Sequence, residues 1–361
     1  MIKITKDALL PAIQFAASAT KRGGTMPILS NLLIRVVDGT LSATGTNLES
    51  EITARTPCDE AVDTEFTVPA KKFVDVVKAM QAGADIKLDF DGQNLVIKSG
   101  RSKFKLSTLP AVDFPDTRAI NVSSKVEIDQ QVFKQLIGSV SYAMAKQDVR
   151  YYLNGMLIDM DGGKFTVVAT DGHRLALRET VIESQEKKSI IVPADTINEM
   201  AKILKSGPIV LEMSDNSIRV DNDHFKFVSK LIDGKFPDYR RVIPTGGNCK
   251  IVVSRDGLLH TLSQVAILSN EKFRGIRLTA DGDSITIAAN NPDNETAESV
   301  IDVQYNGDPI EIGFNVQYLM DAVNSISAQD VEIVLRDANC SAIVRELGDE
   351  SSVNVVMPMR L

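Results

Sequence analysis

Cysteine and histidine are scarce in this chain of 361 residues, with three of each. Cys58, Cys249 and Cys340 are scattered and odd in number, which fits neither a disulfide framework nor a zinc site. His173, His224 and His260 share no ligand spacing with cysteines or carboxylates, so no metal or cofactor is expected. Long apolar runs are missing too, and no window approaches the ~18 residues of a spanning helix. The opening MIKITKDALLPAIQFAASAT imitates a secretory leader, with an early lysine and an Ala17-Ser18-Ala19 end. Asp7, Pro11 and Gln14 break its apolar middle, and the same pattern recurs inside the chain, so it reads as a helix. A reduced, cytoplasmic setting and no membrane contact are expected. Also lacking are a G-x-x-x-x-G-K-[ST] loop, HExxH, GxSxG and an EF-hand loop, which removes the common hydrolase and nucleotide-binding constellations.

What is present is ample apolar material, 43% of residues against 24% charged, enough for several cores. The length exceeds one ordinary core. Net charge is −8, and it is unevenly spread. Residues 1–120 hold 15 Lys+Arg and 14 Asp+Glu, residues 121–245 hold 17 of each, and residues 246–361 hold 8 and 17. The acidic excess therefore lies in the last third.

The chain repeats itself. ITKDALLPAIQFAASA from Ile4, IDQQVFKQLIGSVSYAMA from Ile128 and VVSRDGLLHTLSQVAILS from Val252 each read as a strand end, a polar start and a helix-spaced apolar series. Each is followed by a strand and an Asp-Gly pair, at 38, 161 and 281, predicting a hairpin. A second helix follows in TVPAKKFVDVVKAM, IVPADTINEMAKIL and IGFNVQYLMDAVNSI, and then alternating strands. Phe-Pro-Asp closes the first two repeats, at 114–116 and 236–238, where proline stops pairing and starts a turn. The expected class is α+β, with three repeated domains at 1–120, 121–245 and 246–361, each with two helices packed on antiparallel sheets of roughly eight strands.

TDGHRLALRE, Thr170 to Glu179, is the most enzyme-like string. One reading is a hydrolase using Asp171, His173 and Arg174. The other is a turn, because the sister repeats place TGTN and ANNP at the same point. Cations recur around the helices: Lys6, Lys21 and Arg22, then Lys71, Lys72 and Lys78, Lys134 and Lys146, Lys202 and Lys205, Arg255 and Lys272. Such recurrence suggests one shared basic surface, although NVQYLMDAVNSI carries no lysine. A peptide-binding scaffold unrelated to DNA is a third reading.

QDVRYYLNGM, ATDGHRLA, DGKFPDYRRVIP, ILSNEKFRG, ANNP and the terminal VVMPMRL resemble the bacterial DNA polymerase III beta subunit, the sliding clamp, in order over the whole chain. The resemblance implies a non-catalytic accessory subunit of a DNA-directed DNA polymerase, working as a head-to-tail homodimer whose twelve helices line a ring around duplex DNA. Twelve helices at ~10 Å spacing give an axis radius of roughly 19 Å. Removing half a helix diameter leaves a bore of about 26–28 Å, wide enough for a duplex of roughly 20 Å. Lysines meeting phosphates through water would hold DNA without sequence preference and permit sliding. Ring opening by ATP hydrolysis would belong to a separate loader.

By the same resemblance, Lys21, Arg22, Gly23, Gln147, Arg150, Tyr151 and Tyr152 are the DNA contacts. Phe104 and Leu106 face Ile267 and Leu268 across the subunit junction, with Lys72 opposite Asp293. Asn94 and Ser299 stand where the family can carry charges, so Glu295 and Arg101 lose those partners and the junction relies more on apolar packing. A pocket for linear peptides of the replicative polymerase subunit, clamp loader, translesion polymerases, ligase and mismatch-repair proteins is implied between the second and third domains. Its residues are Tyr152, Leu153, Thr170, Gly172, His173, Arg174, Leu175, Pro237, Arg241, Val242, Asn315, Tyr318, Val355, Met357, Pro358, Met359 and Arg360. Methionine and proline would form its adaptable floor, and Arg174 and Arg360 would hold peptide carbonyls or acids.

Overall fold

The computed structural model describes every residue except 22, 24, 60, 61, 116–120 and 361. Among the described residues lie six α-helices and 25 strands. The strands pair antiparallel throughout, and the α+β class holds. The helices are α1 (Lys6–Ser18), α2 (Ala70–Lys78), α3 (Gln130–Val140), α4 (Ala194–Ile203), α5 (Arg255–Ala266) and α6 (Val316–Asn324).

The repeat is visible in single hydrogen bonds. The first residue of α1, α3 and α5 donates its N–H to a carbonyl beyond the second helix of its repeat: Lys6 to Ala84 at 2.9 Å, Gln130 to Gly207 at 2.9 Å and Arg255 to Gln329 at 2.8 Å. The polar starts act as caps. Thr5 Oγ1 accepts from Ala8 N at 3.3 Å, and Asn315 Oδ1 accepts from Gln317 N at 2.9 Å and Tyr318 N at 3.2 Å. The hairpins form with one correction. Val37 pairs with Thr40 around Asp38-Gly39, whose φ values are +48° and +72°, as a two-residue turn of this kind requires. In the other repeats Asp161 pairs with Lys164 and Asp281 with Ser284, so each aspartate ends its strand and the turns are Gly162-Gly163 and Gly282-Asp283.

The chain divides into two compact units, Met1–Gln130 with Ser206–Leu231, and Gln131–Lys205 with Ile232–Leu361. The first holds a four-stranded and an eight-stranded sheet. Its core joins Leu9 and Ile13 of α1 and Phe73 and Val77 of α2 to Leu32, Ile34, Leu88 and Ile97 on the strands. The second holds a nine-stranded and a four-stranded sheet, with Leu258 and Leu262 of α5 and Leu319 and Val323 of α6 packed on Ile276, Ile287 and Phe314. Pairing runs across the sequence repeats. Strand Ser50–Pro57 pairs with Phe225–Lys230, and Arg174–Val181 pairs with Ser352–Val356. Each Phe-Pro-Asp does more than end a strand. Phe114 is buried with Ile28 and Leu29, and Phe236 is buried with Leu153 and Tyr239, so each exit is pinned to its core.

Candidate functional site

The second unit contains an apolar cluster of Leu153, Leu175, Phe236, Tyr239, Val353 and Val355, with Tyr152 and Ile243 against its edge. Leu153 is 2% exposed and Leu175 and Val355 are 3% exposed. These three predicted pocket residues are therefore buried within the cluster. Register explains the meeting of Leu175 and Val355, because they are direct partners on adjacent strands. Tyr239 is fixed by donating its hydroxyl to Asp159 Oδ2 at 3.0 Å. Burial and then the Asp159 charge push that phenol well above its ordinary pKa.

The turn Thr170–Arg174 leads into Leu175 of that cluster. Thr170 Oγ1 donates to the Arg174 carbonyl at 2.6 Å and accepts from Gly172 N at 3.1 Å, while Gly172 takes φ +87°. Asp171 Oδ1 accepts from the N–H groups of His173 (2.9 Å) and Arg174 (3.1 Å), and its Oδ2 accepts from Arg174 Nε at 3.0 Å. Nothing joins the Asp171 carboxylate to the His173 ring, which stacks on Tyr318 at 6.2 Å and 20°. The hydrolase reading therefore has no support: Asp171 and Arg174 build the turn, and no carboxylate orients the imidazole as a base.

Arg174 has several partners within the protein. It also donates Nη1 to Asp321 at 2.6 Å and Nη2 to the Tyr142 carbonyl at 2.8 Å, lies 4.5 Å from the Tyr318 ring centre, and is 12% exposed. Burial opposes its charge, but the Asp321 hydrogen bond and the Asp171 charge outweigh that and raise its pKa. Three of its five N–H donors are thus engaged within the protein. Asn315 is likewise engaged as the α6 cap and by donating Nδ2 to the Phe273 carbonyl at 3.1 Å.

The tail is tied down by Met357 N donating to the His173 carbonyl (3.0 Å) and Met359 N to the Gly313 carbonyl (2.9 Å). Met357 is 46% exposed beside half-buried Pro358 and Met359, and Arg360 is exposed. Pro237 and Val242 are exposed, and exposed Arg241 pairs with Asp238 at 3.0 Å. A cavity of about 950 Å³ in the same unit shares only Arg174 with the predicted pocket residues; Tyr142, Lys146, Asn198 and Asp321 also line it.

Of the predicted DNA contacts, Lys21 and Gly23 are exposed, and Arg22 lies outside the described residues, as does Gly24 beside it. Gln147 has φ +55° and Tyr151 is 57% exposed. Arg150 is gripped by Asp148 through Nε at 3.0 Å and Nη2 at 2.8 Å, and donates to the Asp171 carbonyl at 3.1 Å. These bonds hold the Asp148 carboxyl down at about 2. Two of the helix cations are structural. Lys6 Nζ donates to the Lys78 carbonyl at 2.9 Å and to that of Met80, and Lys134 Nζ to the Leu204 carbonyl at 3.0 Å, so each satisfies the end of a neighbouring helix. Lys71 and Lys202 pair with Asp75 and Glu199.

Phe104 and Leu106, half-buried, lie on Ser102–Ser107, an edge strand of the first unit's four-stranded sheet. In the second unit Ile267 is 78% exposed, Leu268 is half-buried after α5 and Asp293 is exposed, and Lys72 of the first unit is exposed as well. Glu295 accepts from Asn291 Nδ2 at 2.6 Å and Asn94 bonds Asp91, so both have partners within the chain. Sequence reasoning missed Tyr142, Arg178, Asp321 and Asn354. Asn354, fully buried, accepts from the Tyr142 hydroxyl (2.9 Å), Arg178 Nη1 (3.1 Å) and Ser325 Oγ (3.2 Å). The only signal for Asp321 was its place three residues after Tyr318, which puts both on one helix face.

Residues 1–118, 127–238 and 240–360 match, in order, the N-terminal, central and C-terminal domains of the DNA polymerase III beta subunit. The Beta sliding clamp of Pseudomonas aeruginosa is 45% identical over 99% of both chains, and that of Escherichia coli K12 is 42% identical over 99% of both. The crystal structure of the Pseudomonas aeruginosa DNA polymerase III subunit beta superposes with a TM-score of 0.97 at 45% identity, covering 100% of both chains, and a structure of that clamp bound to griselimycin also scores 0.97 at 45% identity, over 99% of both. With the match running end to end in sequence and in fold, the chain belongs to the DNA polymerase III beta subunit family, the sliding clamps, whose members are accessory processivity subunits and not enzymes.

Proposed function

We propose that this chain encircles duplex DNA as a head-to-tail homodimer and tethers the replicative polymerase to it, in the cytoplasm. The carrying observation is the family match over residues 1–118, 127–238 and 240–360 in order, which supports domains at 1–120, 121–245 and 246–361. The edge strand bearing Phe104 and Leu106 and the acidic edge strand Thr296–Asp302 are open in the single chain. Pairing them between copies removes both edges, brings Ile267 and Leu268 against Phe104 and Leu106, and sets Lys72 near Asp293. The acid-rich last third then meets a balanced first third, which is electrostatically favourable.

The pocket over Leu153, Leu175 and Val355, walled by His173 and Tyr318 and edged by Met357 to Arg360, takes apolar peptide segments of the polymerase, loader, translesion polymerases, ligase and mismatch-repair proteins. Its support is the apolar floor beside exposed methionine and proline, together with the griselimycin complex of the Pseudomonas aeruginosa clamp. Lys21, Arg22, Gly23, Gln147, Tyr151 and Tyr152 meet DNA; Arg150, held by Asp148, shapes that segment. The test is topological. Loaded on a nicked circle, the protein stays bound in salt and runs off once the circle is linearised; equal loss from both forms sinks the proposal.

A further inference from the structure

Asp321 belongs to no motif, yet it ties helix α6 to the pocket turn. Its Oδ2 accepts from Arg174 at 2.6 Å and its Oδ1 from Gln317 Nε2 at 2.8 Å. Tyr318 sits one turn earlier on the same face, so the guanidinium that Asp321 grips also lies against the Tyr318 ring at 4.5 Å. Tyr318 in turn stacks on His173, next to Arg174 in the chain. Asp171 and the Tyr142 carbonyl take the other sides of the guanidinium. The far end of α6 has a separate anchor, Arg178 Nη2 donating to Ser325 Oγ at 2.8 Å.

We propose that Asp321 is a positioning residue for the peptide pocket. Through Arg174 it fixes the angle of the Tyr318 and His173 wall, and so sets affinity for apolar peptides without touching them. The inference rests on the pocket reading above. Without the carboxylate, Arg174 stays on Asp171 and the Tyr142 carbonyl, and α6 keeps its core packing and the Asn315 and Ser325 anchors but loses its tie to the turn beside Tyr318. A longer acid retains the tie, because the adjoining cavity leaves room for one more methylene.

The experiment uses the full chain and fluorescein-labelled griselimycin, read by fluorescence anisotropy. Asp321→Ala is expected to weaken binding about tenfold and Asp321→Asn about fivefold, within the range of residues that modulate a site at one remove. Asp321→Glu returns it to within about twofold, and adding Arg174→Lys to Asp321→Ala costs less than the two single losses combined, as for a coupled pair. Retention on nicked circles stays at its unsubstituted value, and melting temperature falls modestly in Asp321→Ala, where a largely buried ion pair is lost, without tracking the affinity losses across the three variants. Wild-type affinity in Asp321→Ala, or equal losses in all three variants in step with lowered melting temperatures, overturns the inference. Met357→Ala separates the two levels. If the unsubstituted chain ignores griselimycin, or Met357→Ala leaves binding intact, the pocket reading fails and takes this inference with it. If Met357→Ala weakens binding and Asp321→Ala does not, only the role of Asp321 fails.

Discussion

Replacing Asn354 by leucine tests whether the buried polar network of the second unit is structural. Leucine keeps the branching of asparagine but is bulkier at this fully buried site, and the side-chain acceptor disappears. The Tyr142 hydroxyl then loses its Asn354 acceptor; its phenol is already pushed up to about 12, chiefly by burial, so it cannot ionise instead. Arg178 keeps its bonds to Leu177, Val353 and Ser325, but it is a buried cation without a carboxylate partner, and burial lowers its pKa. The Val344 carbonyl also loses its donor, Asn354 Nδ2 at 3.0 Å. Stranding a buried polar group costs about 1–3 kcal/mol, so the three effects together should cost about 3–5 kcal/mol. At about 2–4 °C per kcal/mol for a body of this size, the melting temperature should fall roughly 6–20 °C. Asn354→Asp supplies the missing countercharge while losing one neutral donor, and should cost about 1–2 kcal/mol. Scanning calorimetry and urea titration of both variants decide the matter. A loss below about 1 kcal/mol for Asn354→Leu, or a worse loss for Asn354→Asp, would mean that the network does not stabilise the fold.

The Asp148 carboxyl is depressed to about 2 by its bonds from Arg150, so the clasp contributes fully above the unfolded carboxylate value and is lost only as pH falls through about 2. A carboxyl titration by NMR should give that midpoint, and Arg150→Ala should return it to the ordinary aspartate range; no movement would contradict the clasp. Gly172→Ala forces a side chain onto φ +87° and sets its Cβ 2.8 Å from Arg150 Nη1. It should cost about 1–2 kcal/mol of stability in urea and weaken griselimycin binding. Ile267→Arg, at a position 78% exposed in the single chain, should leave folding within about 0.5 kcal/mol. It should weaken dimerisation about a hundredfold or more by sedimentation, because a charge must be desolvated at the junction.

The threefold repeat was legible because helix and hairpin signals recur at fixed spacing, and the caps at Thr5 and Asn315 followed from local chemistry. The pairing of Arg174–Val181 with Ser352–Val356 was not legible. An alternating strand states which face is buried, but not which distant edge it joins. That hidden pairing sets Leu175 beside Val355, so the pocket floor could be reached only through the family resemblance. Arg174 looked available for peptides because its three acceptors, on Asp171, Tyr142 and Asp321, come from three separate segments. The hairpin at 161–164 moved by one residue because Gly162-Gly163 takes positive φ at both turn positions without the strain that Asp161 would bear.

The cations carry the same lesson into function. Lys6 and Lys134 cap helix ends, and Lys71 and Lys202 are paired, so the basic surface suggested by the sequence is thinner than its lysine count. Lys78 and Lys146 make no ion pair or side-chain hydrogen bond among the described residues, and Lys21 is exposed. If about three such groups meet phosphates, affinity for open linear duplex should fall about fortyfold between roughly 50 and 200 mM salt. So few charges cannot hold a polymerase on DNA through a long synthesis, since each contact is individually weak and screened. Persistence has to come from closure of the ring, and weak contact then becomes the condition for movement along the duplex. In the proposed ring, a thin basic lining and a strong subunit junction are therefore two halves of one requirement.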